Sequence, residues 1–400
     1  MILKETLAEV AKSQNEYILN SDYGIQRDET YQIKIPFKFA IVISGIRRSG
    51  KSTLLRQLIN RFKDFNYFNF EDVRAFGFEL GDFKRLEEIF AAKSRSNVYF
   101  FDEIQNVPNW ERYIRTLVDN NNKVIITGSN ASLLSKEIGY KLTGRNIRYE
   151  LFPFSYSEYL TFYKRKPSVK SFELYFINGG FPEYLKIGDD LILQELFNDI
   201  ITRDIIVRYN LRNSKVVKDI ALYLLSNVGK EFTFHRLKNL YEIGSANSVI
   251  NLLNYYEDSY LLFTVPQFDY SFRKQIVNPK KIYAIDTGFV KANSVSFSRD
   301  NGRLLENVVF LQLKRKGKEI FYFRKDKECD FITKDAKQRL NAYQVCYKFE
   351  EENKDREING LLNALDYLNL KSGSILTFNQ DDEFRVKGKK IIVKPVWKWL

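Results

Sequence analysis

The stretch Gly45-Ile46-Arg47-Arg48-Ser49-Gly50-Lys51-Ser52 constrains this chain more than any other. It fills every fixed position of G-x-x-x-x-G-K-[ST], the phosphate-binding P-loop or Walker A pattern. Glycines let the main chain turn so that consecutive N–H groups point inward at phosphate oxygens. A helix opening near Gly50 adds the positive end of its dipole. Lys51 reaches the β- and γ-phosphates, and Ser52 offers a hydroxyl to Mg²⁺. The apolar run 40–44 before the loop and Thr53-Leu54-Leu55 after it supply the flanking strand and helix. Residues 45–53 are therefore the expected contacts for ATP with Mg²⁺.

A second pattern agrees with the first. Val98-Tyr99-Phe100-Phe101-Asp102-Glu103 is an apolar strand ending in two acids, the Walker B arrangement. Asp102 is expected to hold Mg²⁺ through water, and Glu103 to polarise the attacking water as general base. Residues 36–150 alternate short apolar runs (39–44, 66–70, 98–101, 123–127) with amphipathic stretches, as a parallel α/β sheet does. The run 123–127 ends in Gly128-Ser129-Asn130. Asn130 has two readings, a sensor of the γ-phosphate or, like Ser132, the N-cap of the next helix. Arg145 also has two: neutralising charge on the transferred phosphoryl group, in cis or from a neighbouring subunit, or pairing with an acid at the surface.

At 400 residues the chain exceeds one ordinary core. A net charge of +13 favours a polyanionic partner, DNA more than RNA, over a merely solvated basic surface. One His and two Cys argue against a zinc site and against a disulfide framework. The start Met1-Ile2-Leu3-Lys4-Glu5 lacks a signal-peptide apolar region, and no run of ~18 apolar residues exists. A cytoplasmic protein without membrane contact is expected.

These motifs, with Phe101-Asp102-Glu103-Ile104-Gln105, Trp110, Leu142-Thr143-Gly144-Arg145, Pro153-Phe154-Ser155, Gly179-Gly180-Phe181-Pro182-Glu183, Arg203-Asp204-Ile205 and Leu304-Leu305-Glu306-Asn307, span nearly the whole chain. Together they resemble prokaryotic AAA-type ATPases fused to a C-terminal domain of unknown function (DUF4143-like). The resemblance implies an α/β fold in parts. An N-terminal helix and linker (1–35) precedes an AAA-like P-loop core (36–150). A helical lid (151–212), a winged helix (213–295) and an α/β restriction-endonuclease-like domain (300–400) follow. It also implies that Arg145 takes the position the family keeps for transition-state charge, and that ring-like homo-oligomers are possible.

Two segments carry their own signals. Residues 214–290 give three helical patterns and two β runs, the order of a helix-turn-helix with a wing. Ser245, Asn247, Ser248 and Asn251 would face bases, with Arg273 and Lys274 on the wing against phosphate; protein contact is the other reading. Residues 304–349 open helix, strand, strand, strand, as the nuclease-like fold does. Its metal chemistry needs acids that Glu306 and Asp330 match, but Gln344 and Cys346 replace Glu and Lys of Glu-x-Lys. Strand alternation would put Lys348 on the same face as a substitute. Lys314-Arg315-Lys316 with Lys318 would grip phosphates or end a solvated helix. Cys329 and Cys346 read as core thiols, or as a bonded pair in a heat-adapted protein.

Three functions follow: a Mg²⁺-dependent ATPase that moves or loads a nucleic-acid-binding module, a nucleotide switch gating a protein partner, and an ATP-regulated nuclease of a defence or mobile-element system.

Overall fold

The computed structural model describes all residues except 94, 95, 135–141, 143 and 296–299, and only the backbone of Ser132 and Leu134. Thr143 of the quoted motif and the capping side chain of Ser132 thus lie outside the described residues. The chain divides into two compact units, Met1–Phe152 and Pro153–Leu400.

The first unit runs α1 (Lys4–Asn20), α2 (Asp28–Gln32), β1 (Ala40–Ser44), α3 (Lys51–Ile59), β2 (Asn66–Asn69), α4 (Asp82–Lys93), β3 (Val98–Asp102), α5 (Trp110–Asp119), β4 (Lys123–Gly128) and β5 (Asn146–Glu150). Its five strands form one parallel sheet in the order β2-β3-β4-β1-β5. Because β4 lies between β1 and β3, its tip separates the P-loop from Asp102. Strand alternation divides the apolar residues between two cores. Val42, Phe101 and Ile126 join Phe68, Phe83 and Ile114 on one face. Ile41, Ile43, Phe100 and Ile125 join Leu54, Leu55 and Leu58 on the other.

Two features depart from the sequence reading. β5 alternates polar and apolar residues and is half-buried throughout, so its composition resembles a surface segment rather than a sheet strand. α1 is more than a lead-in to a linker. Leu7, Val10 and Ala11 are buried in the first core, and the Gln14 side chain bonds both the N–H (2.8 Å) and the carbonyl (3.0 Å) of Asn69. The helix thereby fixes the end of β2.

In the second unit, α6 (Tyr156–Tyr163), α7 (Val169–Asn178), α8 (Pro182–Ile187) and α9 (Asp190–Asp199) run into a π-helical stretch, Ile200–Val207. The break at Gly179-Gly180 has a steric reason. A Cβ on Gly180 would sit 2.2 Å from the Phe154 carbonyl oxygen. α10 (Ser214–Leu225), β6 (Glu231–Phe232), α11 (Phe234–Leu240), α12 (Ala246–Asp258), β7 (Leu262–Pro266), α13 (Phe272–Val277) and β8 (Lys280–Ala284) follow. Their strands make an antiparallel sheet in the order β6-β8-β7. Arg273 and Lys274 therefore stand on a helix between β7 and β8 rather than on a β turn.

After α14 (Thr287–Asn293) come α15 (Asn301–Arg315), β9 (Glu319–Arg324), β10 (Glu328–Lys334), β11 (Leu340–Cys346), α16 (Glu351–Tyr367), β12 (Ser372–Thr377), β13 (Asp382–Val386), β14 (Lys389–Pro395) and α17 (Val396–Trp399). The six strands form a mixed sheet, β13-β14-β12-β11-β10-β9. α16 packs on β10, β11 and β12. Cys329 and Cys346 are free and buried in this core, as thiols. Among the described residues no helix is long and apolar enough to cross a membrane.

The aromatic packing of the first core gives a stability test. Phe83 stacks on Tyr113 with centroids 3.8 Å apart and is 1% exposed. Phe83→Ala should destabilise this unit by about 3–5 kcal/mol in chemical denaturation. Phe76→Ala, at a side chain 92% exposed, should shift it by less than about 0.5 kcal/mol.

Candidate functional site

The loop from Gly45 to Gly50 leaves the end of β1 and enters α3. Gly45 N–H donates to the Gly128 carbonyl at 3.3 Å, and Ser49 N–H closes a turn on Ile46 at 3.2 Å. Gly50 caps α3 at φ +95°, a conformation that strains any L side chain. Gly45 has a different requirement: a Cβ there would lie 2.1 Å from the Leu151 carbonyl oxygen. The loop is thus tied to β4 on one side and to the end of β5 on the other. Ile46 and Ser49 are fully buried, Arg48 is exposed, and Arg47 pairs with Glu71 at 2.7 Å. The Ser49 hydroxyl is buried with no hydrogen-bond partner.

Lys51 is only 5% exposed. Its ammonium donates to the carbonyls of Gly45 (3.1 Å) and Ile46 (3.3 Å) and lies 3.4 Å from Glu103 Oε1. Glu103, in a left-handed conformation at φ 52°, is held further by the Gln105 amide at 2.5 Å and the Ser129 N–H at 3.2 Å. Burial works against its charge. The ammonium of Lys51, the Gln105 amide and Arg47 nevertheless keep the carboxyl below the ordinary glutamate value.

Asp102 behaves in the opposite way. Burial, and then the neighbouring Glu103 charge, push its carboxyl above the usual aspartate range. The Thr127 hydroxyl holds its Oδ1, while Oδ2 is buried with no hydrogen-bond partner. Asp102 and Ser52 line one cleft of about 600 Å³ with Tyr17, Arg56, Asn69 and Arg74. A buried carboxylate oxygen without a donor, facing the same cleft as a serine hydroxyl, fits a hard divalent cation such as Mg²⁺. Thr53 follows Ser52 in the first turn of α3, and Asn130 follows β4, its carbonyl accepting from Ser44 Oγ at 2.6 Å.

Lys51, Ser52, Asp102, Glu103 and Asn130 thus gather at one end of the sheet. Arg145 does not join them. Its carbonyl accepts the Ala40 N–H at 3.0 Å, level with the start of β1. At ~3.3 Å per residue, the five residues of β1 put it roughly 15 Å from the loop. Its half-exposed guanidinium pairs with Asp119 at 2.5 Å. The strand register thus sets its backbone at the opposite end of β1 from the loop.

Three participants had no role of their own in the sequence reading, although Gln105 stood in a quoted motif and Thr127 at the tip of the run 123–127. Gln105 and Thr127 position the two acids; each is a polar residue bordering an apolar strand, the signal available for it. Arg27, 1% exposed, donates to the Ser49 carbonyl at 2.7 Å and the Phe152 carbonyl at 2.8 Å, bracing the loop from behind. No spacing rule points to it.

In the second unit Glu306 and Asp330 do come together, but around a third group. Lys281 Nζ lies 2.9 Å from Glu306, 3.2 Å from Asp330 and 2.7 Å from Glu328. Gln344 bonds Glu357 at 2.7 Å. Lys348 lies beyond the end of β11, exposed and 3.8 Å from Glu350, so it does not share the face of Asp330. Ser245, the N-cap of α12, and Asn247, Ser248 and Asn251 on that helix are exposed.

Residues 38–160 match the family model described as an AAA domain, which defines the class: an AAA-type, P-loop ATPase-like fold. Residues 169–299 match a domain of unknown function (DUF8612). The chain belongs to the family of the uncharacterized protein MJ1544 of Methanocaldococcus jannaschii, 36% identical over 100% of this chain and 96% of its own length. An uncharacterized protein of Haemophilus influenzae is 29% identical over 93% of this chain and 98% of its own. The Aeropyrum pernix ORC1 protein, solved in complex with DNA, overlaps 78% of this chain and 93% of its own at 12% identity and a TM-score of 0.32, too loose an overlap to carry an argument.

The steric role of Gly45 can be separated from phosphate binding. Gly45→Ala should lower folding stability by about 1–3 kcal/mol in a thermal melt without nucleotide. Gly81→Ala, where the added methyl meets nothing within 4 Å, should leave it unchanged.

Proposed function

We propose that this chain is a Mg²⁺-dependent ATPase whose turnover is coupled to a nucleic-acid-binding segment at 213–295. The observation that carries the reading is the buried ammonium of Lys51 shared between two loop carbonyls and Glu103. All three are partners that a triphosphate can displace. Lys51 then turns to the β- and γ-phosphates, and Glu103, relieved of its ion pair, accepts a proton from the attacking water. Ser52 and Asp102 would hold Mg²⁺, which when bound neutralises phosphate charge. Asn130, beside the loop, would sense the γ-phosphate. Arg145, remote and half exposed, would serve a neighbouring copy in a homo-oligomer.

Elements α10 to β8 run helix, strand, helix, helix, strand, helix, strand, which we read as a winged helix with the short α13 inserted between its last two strands. The exposed polar face of α12 and the charge of +13 favour nucleic acid, DNA before RNA. The protein-switch reading has its own support. α13 leaves Phe272, Ile276 and Val277 at 73, 53 and 74% exposure, an apolar surface suited to a protein partner. The segment from α15 to β12 follows the order of a restriction-endonuclease-like fold, and we read it as a retained shape used for binding.

ATP turnover with and without DNA, over a salt series, tests the coupling. Stimulation that fades with added salt supports it; no stimulation and no salt-dependent binding would favour the switch. Lys51→Ala should abolish nucleotide binding. Glu103→Gln should keep binding and slow turnover by about 10²–10⁴-fold.

A further inference from the structure

Nuclease-like chemistry at Glu306 and Asp330 would require a divalent cation between them. The residues present do not fit one, because a side chain already stands in that place. Lys281 reaches from β8 and is 2% exposed. An ammonium has three donors and no acceptor. Here three carboxylate oxygens, from Glu328, Glu306 and Asp330, lie between 2.7 and 3.2 Å from its nitrogen. Two of the donors bond Glu306 and Asp330, and Glu328 closes the set as an ion pair.

The acids are also held against rearrangement. Tyr283 Oη donates to the same Glu306 oxygen at 2.5 Å. The second Asp330 oxygen accepts the Val345 N–H at 2.9 Å. Gln344, where a metal-binding glutamate is expected, spends its amide on Glu357.

We infer that Lys281 is the permanent cation of the Glu306–Glu328–Asp330 cluster, closing it to divalent metal and fastening β8 to α15 and β10. The terminal segment thereby keeps the outline of a nuclease without a metal to cut with. This is independent of the ATPase reading, since no residue of the P-loop unit takes part.

Titration with Mn²⁺, followed by electron paramagnetic resonance in the absence of nucleotide, tests it on the full chain. Wild type and Asp330→Asn should bind Mn²⁺ equally. Lys281→Met, which removes the charge and keeps the length, should gain affinity by about tenfold or more as three carboxylates become available. The double variant Lys281→Met/Asp330→Asn should lose that gain. A wild type that loses Mn²⁺ on Asp330→Asn, or that nicks plasmid in an Asp330-dependent way, overturns the inference. So does a folded Lys281→Met with no gain. If Lys281→Met does not fold, the comparison of wild type with Asp330→Asn still decides.

Discussion

An ammonium group buried at the mouth of a loop is the constraint on which the nucleotide site rests. Lys51 cannot be left uncompensated at 5% exposure, and the loop supplies only two carbonyls. Glu103 completes the set, and to do so it takes a left-handed backbone and support from Gln105 and Ser129. Glu103 and Lys51 therefore neutralise each other. On the proposed reading, a ligand carrying several negative charges would compete for Lys51 and free Glu103 at once. Binding and activation would then be one event, because the two side chains share one charge balance.

The same physics recurs at Lys281 with the opposite consequence. Lys51 faces one carboxylate and two neutral carbonyls, a set that triphosphate improves on. Lys281 faces three carboxylates, two of them hydrogen-bonded and the third ion-paired. Breaking a buried pair of that kind typically costs about 3–5 kcal/mol, so the arrangement persists. One lysine is placed to be released and the other to stay.

Much of the first unit was legible because its determinants are local. The run 40–44, the loop glycines and the acids at 102–103 each declare strand, turn and site within a few residues. β5 was missed because its residues are half-buried and its pairing with β1 is decided by register, which composition does not encode. The same register moved Arg145 to the far end of the sheet. Its place after the Gly144 turn gave no hint that strand direction carries it away from the loop. Glu306 and Asp330 were singled out by matching the helix and strand order of a nuclease-like fold, but Lys281 lies on another sheet, and nothing in the sequence joins it to them. Arg27 is likewise a tertiary fact. Contacts between distant segments were what the sequence withheld.

The account turns on Lys51 changing partners. A crystal structure of the chain with Mg²⁺ and a non-hydrolysable ATP analogue tests this directly. The expected result has Lys51 Nζ off the Gly45 and Ile46 carbonyls and off Glu103, within ~3 Å of β- and γ-phosphate oxygens. Ser52 and Asp102 should face the metal. An analogue lodged elsewhere, or a triphosphate in the loop with Lys51 still paired to Glu103, would contradict it.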